Sequence, residues 1–345
     1  MIASAPDLLR LVAVPVFAWA AYRDVRTRRV PNRVWPPLYL LGAALLLWDL
    51  LARWPLAGVA GDLFVTRVAV SLLVVAPLGY AFWYVGGFGG ADAKALIALA
   101  LLFPTYPSYF LPVAWLPAFP AVRTYVGVFS LTVLTNAVIL GALYPLGLGA
   151  YNGARGRFSP AMFLAKRVPV GRLPHLHGRL FETREGFTRR GLDLDALRMY
   201  LRWRGLTLAD VRADPDRFRD PAGVGETNDP TDGGTHVGPA TDGGERVDGG
   251  DSGSDAVPEG QSAPESETAT TADPWAAERF LAEIEGSAYG TDPETLREGL
   301  ETVAEREAVW VSPGMPFVVP LFLGLLLGLT YGDLLFALLR AVGFV

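Results

Sequence analysis

Residues 86–94 read GGFGGADAK and stand between two apolar runs, residues 68–85 and 95–103. The run before them holds no charge over its whole length, close to the ~20 apolar residues that a membrane-crossing helix needs. Asp92 therefore stands at the mouth of an apolar helix, behind a glycine-rich turn. Glycine admits φ > 0 and lets a second backbone approach closely. A charge at a membrane edge is costly to keep and points to a functional site. The plain alternative is a short polar loop whose Asp92 caps the next helix.

Working outward, the same alternation of long apolar runs and short polar links recurs. The 345-residue chain is 51% hydrophobic, and its mean hydropathy of +0.29 averages apolar ends with a polar, acidic middle. The runs at 6–22, 35–51, 64–85, 93–103 with its continuation, 125–148 and 315–339 predict an all-α, polytopic membrane protein with about six transmembrane helices. Prolines 104, 107, 112, 117 and 120 interrupt the fourth run, so residues 104–122 are expected as either a bent continuation or a loop at the far surface. Three regions follow: a membrane core over 1–150, an insert over 151–313, and a last membrane helix over 314–345. The first run lacks a basic leader and a small-residue cleavage site, and is read as a retained span.

Within the insert, residues 226–273 are rich in Gly, Asp, Thr, Pro and Ser, with Arg246 the sole Arg or Lys. Such a stretch has too little apolar surface to order itself and predicts a disordered acidic linker. Amphipathic spacing on either side of it, such as Leu296, Leu300 and Val303, predicts a small helical cap.

Composition narrows the chemistry. The chain has no cysteine, which excludes disulfides and cysteine-ligated zinc. The net charge is −5, with only two lysines, Lys94 and Lys166. No nucleic-acid partner, metal or cofactor is expected. His175 and His177 could share a face as metal ligands, but no third ligand of suitable spacing follows them.

Basic residues set the orientation. Residues 23–33 carry five arginines against one acid, and the segment after the fifth run opens with Arg155, Arg157, Lys166 and Arg167. The positive-inside rule assigns both to the cytoplasm, and counting spans brings residues 86–92 to that side too. Asp24, where the first run ends, is then on the same rim as Asp92. Two carboxylates within a few ångströms share one proton, so that one can activate water while the other polarises a carbonyl. Asp333 fails this pairing: some 17 residues past Pro316, at 1.5 Å per residue, it lies ~26 Å across, near the far face. Asp7, Asp49 and Asp62 belong to that face as well.

Asp24 with Arg26, Pro31 and Asn32, then Gly89, Gly90, Ala91 and Asp92 with Lys94, resemble the two aspartate motifs of the type IV prepilin peptidases. Among these GxGD membrane aspartic peptidases the archaeal preflagellin and prepilin branch is most similar, and WVSPGMPFVVP at 310–320 resembles it too. The resemblance implies a catalytic pair, Asp24 and Asp92. It implies an active-site loop of Gly89, Gly90 and Ala91 with Lys94; from its place two residues past Asp92, Lys94 either anchors the helix end or orients the loop. The family pattern has Gly where Ala91 stands. Ala disfavours φ > 0, so if the loop needs a positive φ there, Gly90 must supply it. The implied activity is cleavage of the short basic leader from archaellin or type IV pilin precursors, at the cytoplasmic face of the cell membrane. The implied partners are those precursors and the lipid bilayer. Without the cysteine-rich zinc loop of some bacterial relatives, no methyltransferase activity is expected. The competing reading is an ion- or proton-coupled transporter, which predicts carboxylates near the midplane of broken helices. An intramembrane peptidase cutting within the bilayer would instead require its second aspartate inside a span.

Overall fold

A computed structural model describes residues 3–85, 87–110, 118–235, 273–284, 288–314 and 316–344. The chain divides into two compact units, Met1–Tyr144 with Met315–Val345, and Pro145–Gly314. In the first unit, α1 (Ala5–Arg10) and α2 (Ala13–Thr27) run nearly continuously and are followed by α3 (Trp35–Ala52). Next, α4 (Gly58–Val70) and α5 (Ala76–Tyr84) are joined by a π-helical turn, Ser71–Val75. After α6 (Gly90–Leu102) comes α7 (Phe129–Gly153), whose last turns begin the second unit. That unit contains α8 (Leu194–Trp203), α9 (Leu208–Ala213), α10 (Pro215–Arg219), α11 (Ala277–Glu283) and α12 (Pro293–Glu305). The chain returns to the first unit with α13 (Val318–Thr330) and α14 (Leu334–Ala341).

Among the described residues, four helical segments are long and apolar enough to cross a membrane: Ala5–Thr27, Asn32–Ala52, Gly58–Tyr84 and Phe129–Gly153. Leu40, Leu47, Leu73 and Leu143 are exposed on them, as a lipid-facing surface requires. The protein is thus a mostly helical membrane protein. The expected fourth and sixth spans are shorter. With 13 residues each, α6 and α13 reach ~20 Å, against a hydrocarbon core of ~30 Å.

The short helix α6 is the axis of the membrane unit. It packs against α3, α5 and α13, and Ala95, Leu96, Ala98, Leu99, Ala100 and Leu102 are all fully buried. A helix apolar on every side belongs at the centre of a bundle. Close approach depends on small residues: a Cβ at Gly42 of α3 would stand 2.9 Å from Leu101 Cβ.

After Leu102 the chain is irregular through residue 110, neither helical continuation nor free loop, because neighbours take up the backbone groups that the helix end exposes. Ser71 Oγ donates to Ala100 O at 2.8 Å, Arg10 Nε to Leu102 O at 2.6 Å, and Ser130 N to Phe103 O at 2.9 Å. Buried backbone groups in an apolar medium must be satisfied within the protein. Arg10, 3% exposed, also donates to Asp7 Oδ1 at 2.7 Å and Asp49 Oδ2 at 2.5 Å. Two of the aspartates assigned to the far rim, Asp7 and Asp49, therefore meet around one buried arginine.

The second unit contains strands as well as helices. Its three-stranded antiparallel sheet comprises β1 (Lys166–Pro169), β2 (Arg179–Leu180) and β3 (Ala308–Ser312) in the order β1-β3-β2. Trp203, Trp275, Phe280, Leu296, Leu300 and Val303 form its core. Residues 226–235 and 273, the two ends of the expected linker, are among the described residues. Arg198 donates to Gly233 O at 2.5 Å, Arg202 to Gly234 O at 2.5 Å, and Tyr289 Oη to Asp232 O at 2.8 Å. Guanidinium donors thus hold residues up to 235 against α8, and Arg297 holds Asp273 at 2.7 Å. Residues 236–272, the bulk of that linker, lie outside the described residues.

Candidate active site

Helix α2 buries Phe17, Ala20, Ala21 and Asp24, an i, i+3, i+4, i+7 stripe. The spacing that turns Phe17 inward therefore turns Asp24 inward too, and it is 7% exposed. Arg23 and Arg26 fall on the outer side, their guanidiniums 5.6 Å from the Trp19 ring and 5.3 Å from the Tyr22 ring. Such charges lie along apolar surface and reach for the polar interface. α2 ends at Arg28, whose N–H donates to Asp24 O at 2.9 Å and whose backbone is left-handed, with φ 56°.

Asp92 sits in the first turn of α6 and is 8% exposed. Its Oδ2 accepts the Gly89 N–H at 3.0 Å, which satisfies a donor that precedes the helix. The capping role and the candidate catalytic role thus fall on one side chain. The backbone of Gly89 is extended, φ −70° and ψ 158°, while Gly90 and Ala91 are already helical. None of the three has a positive φ. Ala91 therefore fits its position without strain, and Gly90 does not have to supply a left-handed turn. Gly89 serves by its small size: a Cβ there would come within 3.2 Å of Asp92 Oδ2.

Three contacts hold this loop. Phe88 stacks on Phe317 with centroids 4.6 Å apart and lies 4.9 Å from Phe82. The Val318 N–H, at the start of α13, faces the Asp92 carboxylate. Lys94 Nζ donates to Asn32 Oδ1 at 2.7 Å, and Lys94 O accepts the Tyr39 hydroxyl at 3.1 Å. Lys94 thereby ties α6 to the link that follows Asp24. Because α13 packs against both α2 and α6, one helix braces both aspartate-bearing helices.

Asp24 and Asp92 lie within electrostatic reach of each other, and the charge of Arg28 acts on both. Sequence reading passed over Arg28, Phe88 and Val318. The signal for Arg28 was its spacing, four residues past Asp24, which shares a face with it at a helix end. Asp333 stands past the other end of α13 from Val318. It caps α14 through Phe336 N–H at 2.9 Å and accepts Thr132 Oγ1 at 2.7 Å. His177 lies 3.4 Å from Asp195 in the second unit, and among the described residues no three His, Asp or Glu side chains form a metal-binding group.

No curated protein matches the chain. Residues 11–146, which carry both aspartates and the loop between α5 and α6, match the family model described as the type IV leader peptidase family. By this match and by its two aspartate motifs, the membrane core of this chain is similar to the type IV leader peptidase family.

Proposed function

We propose that the protein is an aspartic-type endopeptidase that removes the short basic leader from archaellin or type IV pilin precursors, with Asp24 and Asp92 as its catalytic pair. The observation that carries this reading is the burial of both carboxylates within reach of each other, on two helices braced by a third. One carboxylate takes a proton from water as the water oxygen bonds to the scissile carbonyl carbon. The other, as the acid, donates its proton to the carbonyl oxygen; as the C–N bond breaks, the first carboxylate passes the proton it took from water to the leaving amine, and the second recovers its own from a hydroxyl of the tetrahedral intermediate. The chemistry runs on these two groups alone, with no cofactor and without methyl transfer.

A cytoplasmic, multi-pass placement draws its support from the arginines of residues 23–33 and from Arg155, Arg157 and Arg167. There the precursor's basic leader would stay in water while its apolar segment enters the bilayer, which leaves the scissile bond at the rim where Asp24 and Asp92 stand. Position also weighs against the transporter reading, since both aspartates are at helix ends rather than mid-helix. Co-expression with a tagged precursor tests the proposal: wild type shortens the precursor, and Asp24→Asn and Asp92→Asn leave it full-length.

A further inference from the structure

Among the described residues of the membrane unit, Arg28 is the only non-glycine residue with a positive φ. The position just past a helix end commonly takes that conformation, and it is usually given to glycine, which adopts it without strain. A strained backbone kept beside a candidate site points to a role for the side chain. The turn also fixes where that side chain starts. The Arg28 N–H is bonded to Asp24 O, so the residue is locked to the last turn of α2, half-buried, while Arg23 and Arg26 are exposed. Those two lie over Trp19 and Tyr22. The charge of Arg28 instead acts on Asp24, on Asp92 and on the Tyr144 hydroxyl. A carboxylate removed from water persists as an anion only with a compensating partner, and a water-activating pair must keep one anion.

We infer that Arg28 is a positioning residue of this site, whose left-handed turn presents a fixed positive charge to the buried Asp24 and Asp92 carboxylates and so maintains the anion that activates water. The inference rests on the reading of those aspartates as the catalytic pair. It requires the charge and not the strained backbone, and glycine separates the two. Arg28→Gly relieves the turn and removes the charge, whereas Arg28→Lys keeps a charge on the same turn.

The test uses the full chain in detergent, with a tagged precursor that carries a short basic leader and an apolar segment. Arg28→Gly is expected to melt at or above the wild-type temperature, with kcat reduced at least tenfold and KM within about twofold. Arg28→Lys is expected to recover at least part of kcat. Wild-type kcat in Arg28→Gly would overturn the inference. So would a change confined to KM, which would make Arg28 a substrate contact, or equal losses in both variants that follow a lowered melting temperature. Asp24→Asn runs in parallel. If it still cleaves, the catalytic reading itself falls and the inference falls with it. If it is inactive while Arg28→Gly is normal, only the inference about Arg28 is lost.

Discussion

Lys94 Nζ donates to Asn32 Oδ1 across 2.7 Å and 62 residues of sequence. One partner lies two residues past Asp92 and the other eight past Asp24, so a single hydrogen bond links the two aspartate-bearing segments. Hydrogen bonds to charged groups contribute ~1.5–3 kcal/mol when shielded, and this half-exposed one belongs at the low end. Its value lies in alignment, since small displacements of reacting groups are costly in rate. Lys94→Met and Asn32→Ala should each slow precursor cleavage, and the double variant should be no slower than the worse single. A double-mutant cycle on cleavage rates should show coupling of about 1 kcal/mol. Additive losses would mean that the two residues act independently.

The other rim depends on Arg10. Its guanidinium is bonded to Asp7, Asp49 and Leu102 O while nearly excluded from water. Loss of one partner from a buried ion pair leaves the other charge uncompensated, at ~3–5 kcal/mol. Arg10→Met should therefore lower the melting temperature in detergent far more than Arg53→Met, because Arg53 is 45% exposed, pairs with Asp49 and lies over the Phe64 ring at the surface. Arg10→Met/Asp49→Leu should recover part of the loss, because no orphan anion remains at Asp49. A melting temperature unchanged by Arg10→Met would mean that water enters this cluster.

α13 carries Val318 to Asp92, and its position depends on Gly324. A Cβ on Gly324 would stand 2.6 Å from Val133 O and 2.9 Å from Ala137 N on α7, too close for backbone atoms to yield without a shift of the helix. Gly324→Ala should cost ~1–3 kcal/mol as an overpacked contact and should slow cleavage, because Phe317 and Val318 move with the helix. Thermal melting together with cleavage rates measures both. A variant as active and as stable as wild type would show that α13 packs more loosely than these distances require.

In the second unit, carboxylates tie the helices to the sheet and to one another. Burial pushes Glu301 up, but hydrogen bonds from Arg219 and Trp275 outweigh it and leave the group below its ordinary range. The Thr295 N–H and hydroxyl lower Asp292 at the start of α12. A carboxyl lowered in the folded state contributes stability that is complete above its unfolded pKa of ~4 and is lost as pH falls through the folded value. Hydrogen exchange in α12, corrected for its intrinsic pH dependence, should therefore stay slow at neutral pH and accelerate below about pH 4. Glu301→Gln should weaken that acid response. An acid response of full size in the variant would remove Glu301 from the account.

The membrane helices were legible because burial in lipid imposes simple patterns. Long apolar runs gave α3 and the α4–α5 segment. Asp24 stood where the first run ends and Asp92 at the head of an apolar helix, whereas the stripe from Phe17 that turns Asp24 inward emerged only from the structure. Contacts distant in sequence were not legible. Lys166–Pro169 pairs with Ala308–Ser312, about 140 residues later, and a four-residue strand reading KRVP has neither alternation nor β-branched bulk to announce it. The cluster around Arg10 was hidden for the same reason, since Asp49 is 39 residues away. The path after Phe103 stayed open between a bent continuation and a loop, because prolines interrupt the apolar sequence there. Only the neighbours that donate to the exposed carbonyl groups at the end of α6 explain why the chain can stop being helical there.

The central claim is that Asp24 and Asp92 together form the catalytic pair, and one measurement bears on it most directly. A tagged precursor with a short basic leader is co-expressed with wild type, Asp24→Asn, Asp92→Asn or Asp333→Asn, and leader removal is scored by the mobility of the tagged product. Membrane levels of each variant are compared alongside. An amide cannot exchange the shared proton, so the Asp24 and Asp92 variants should insert normally and leave the precursor uncut. Asp333→Asn, altered at the opposite end of α13, should process it as wild type does. Processing by either Asp24→Asn or Asp92→Asn at the wild-type rate would contradict the account.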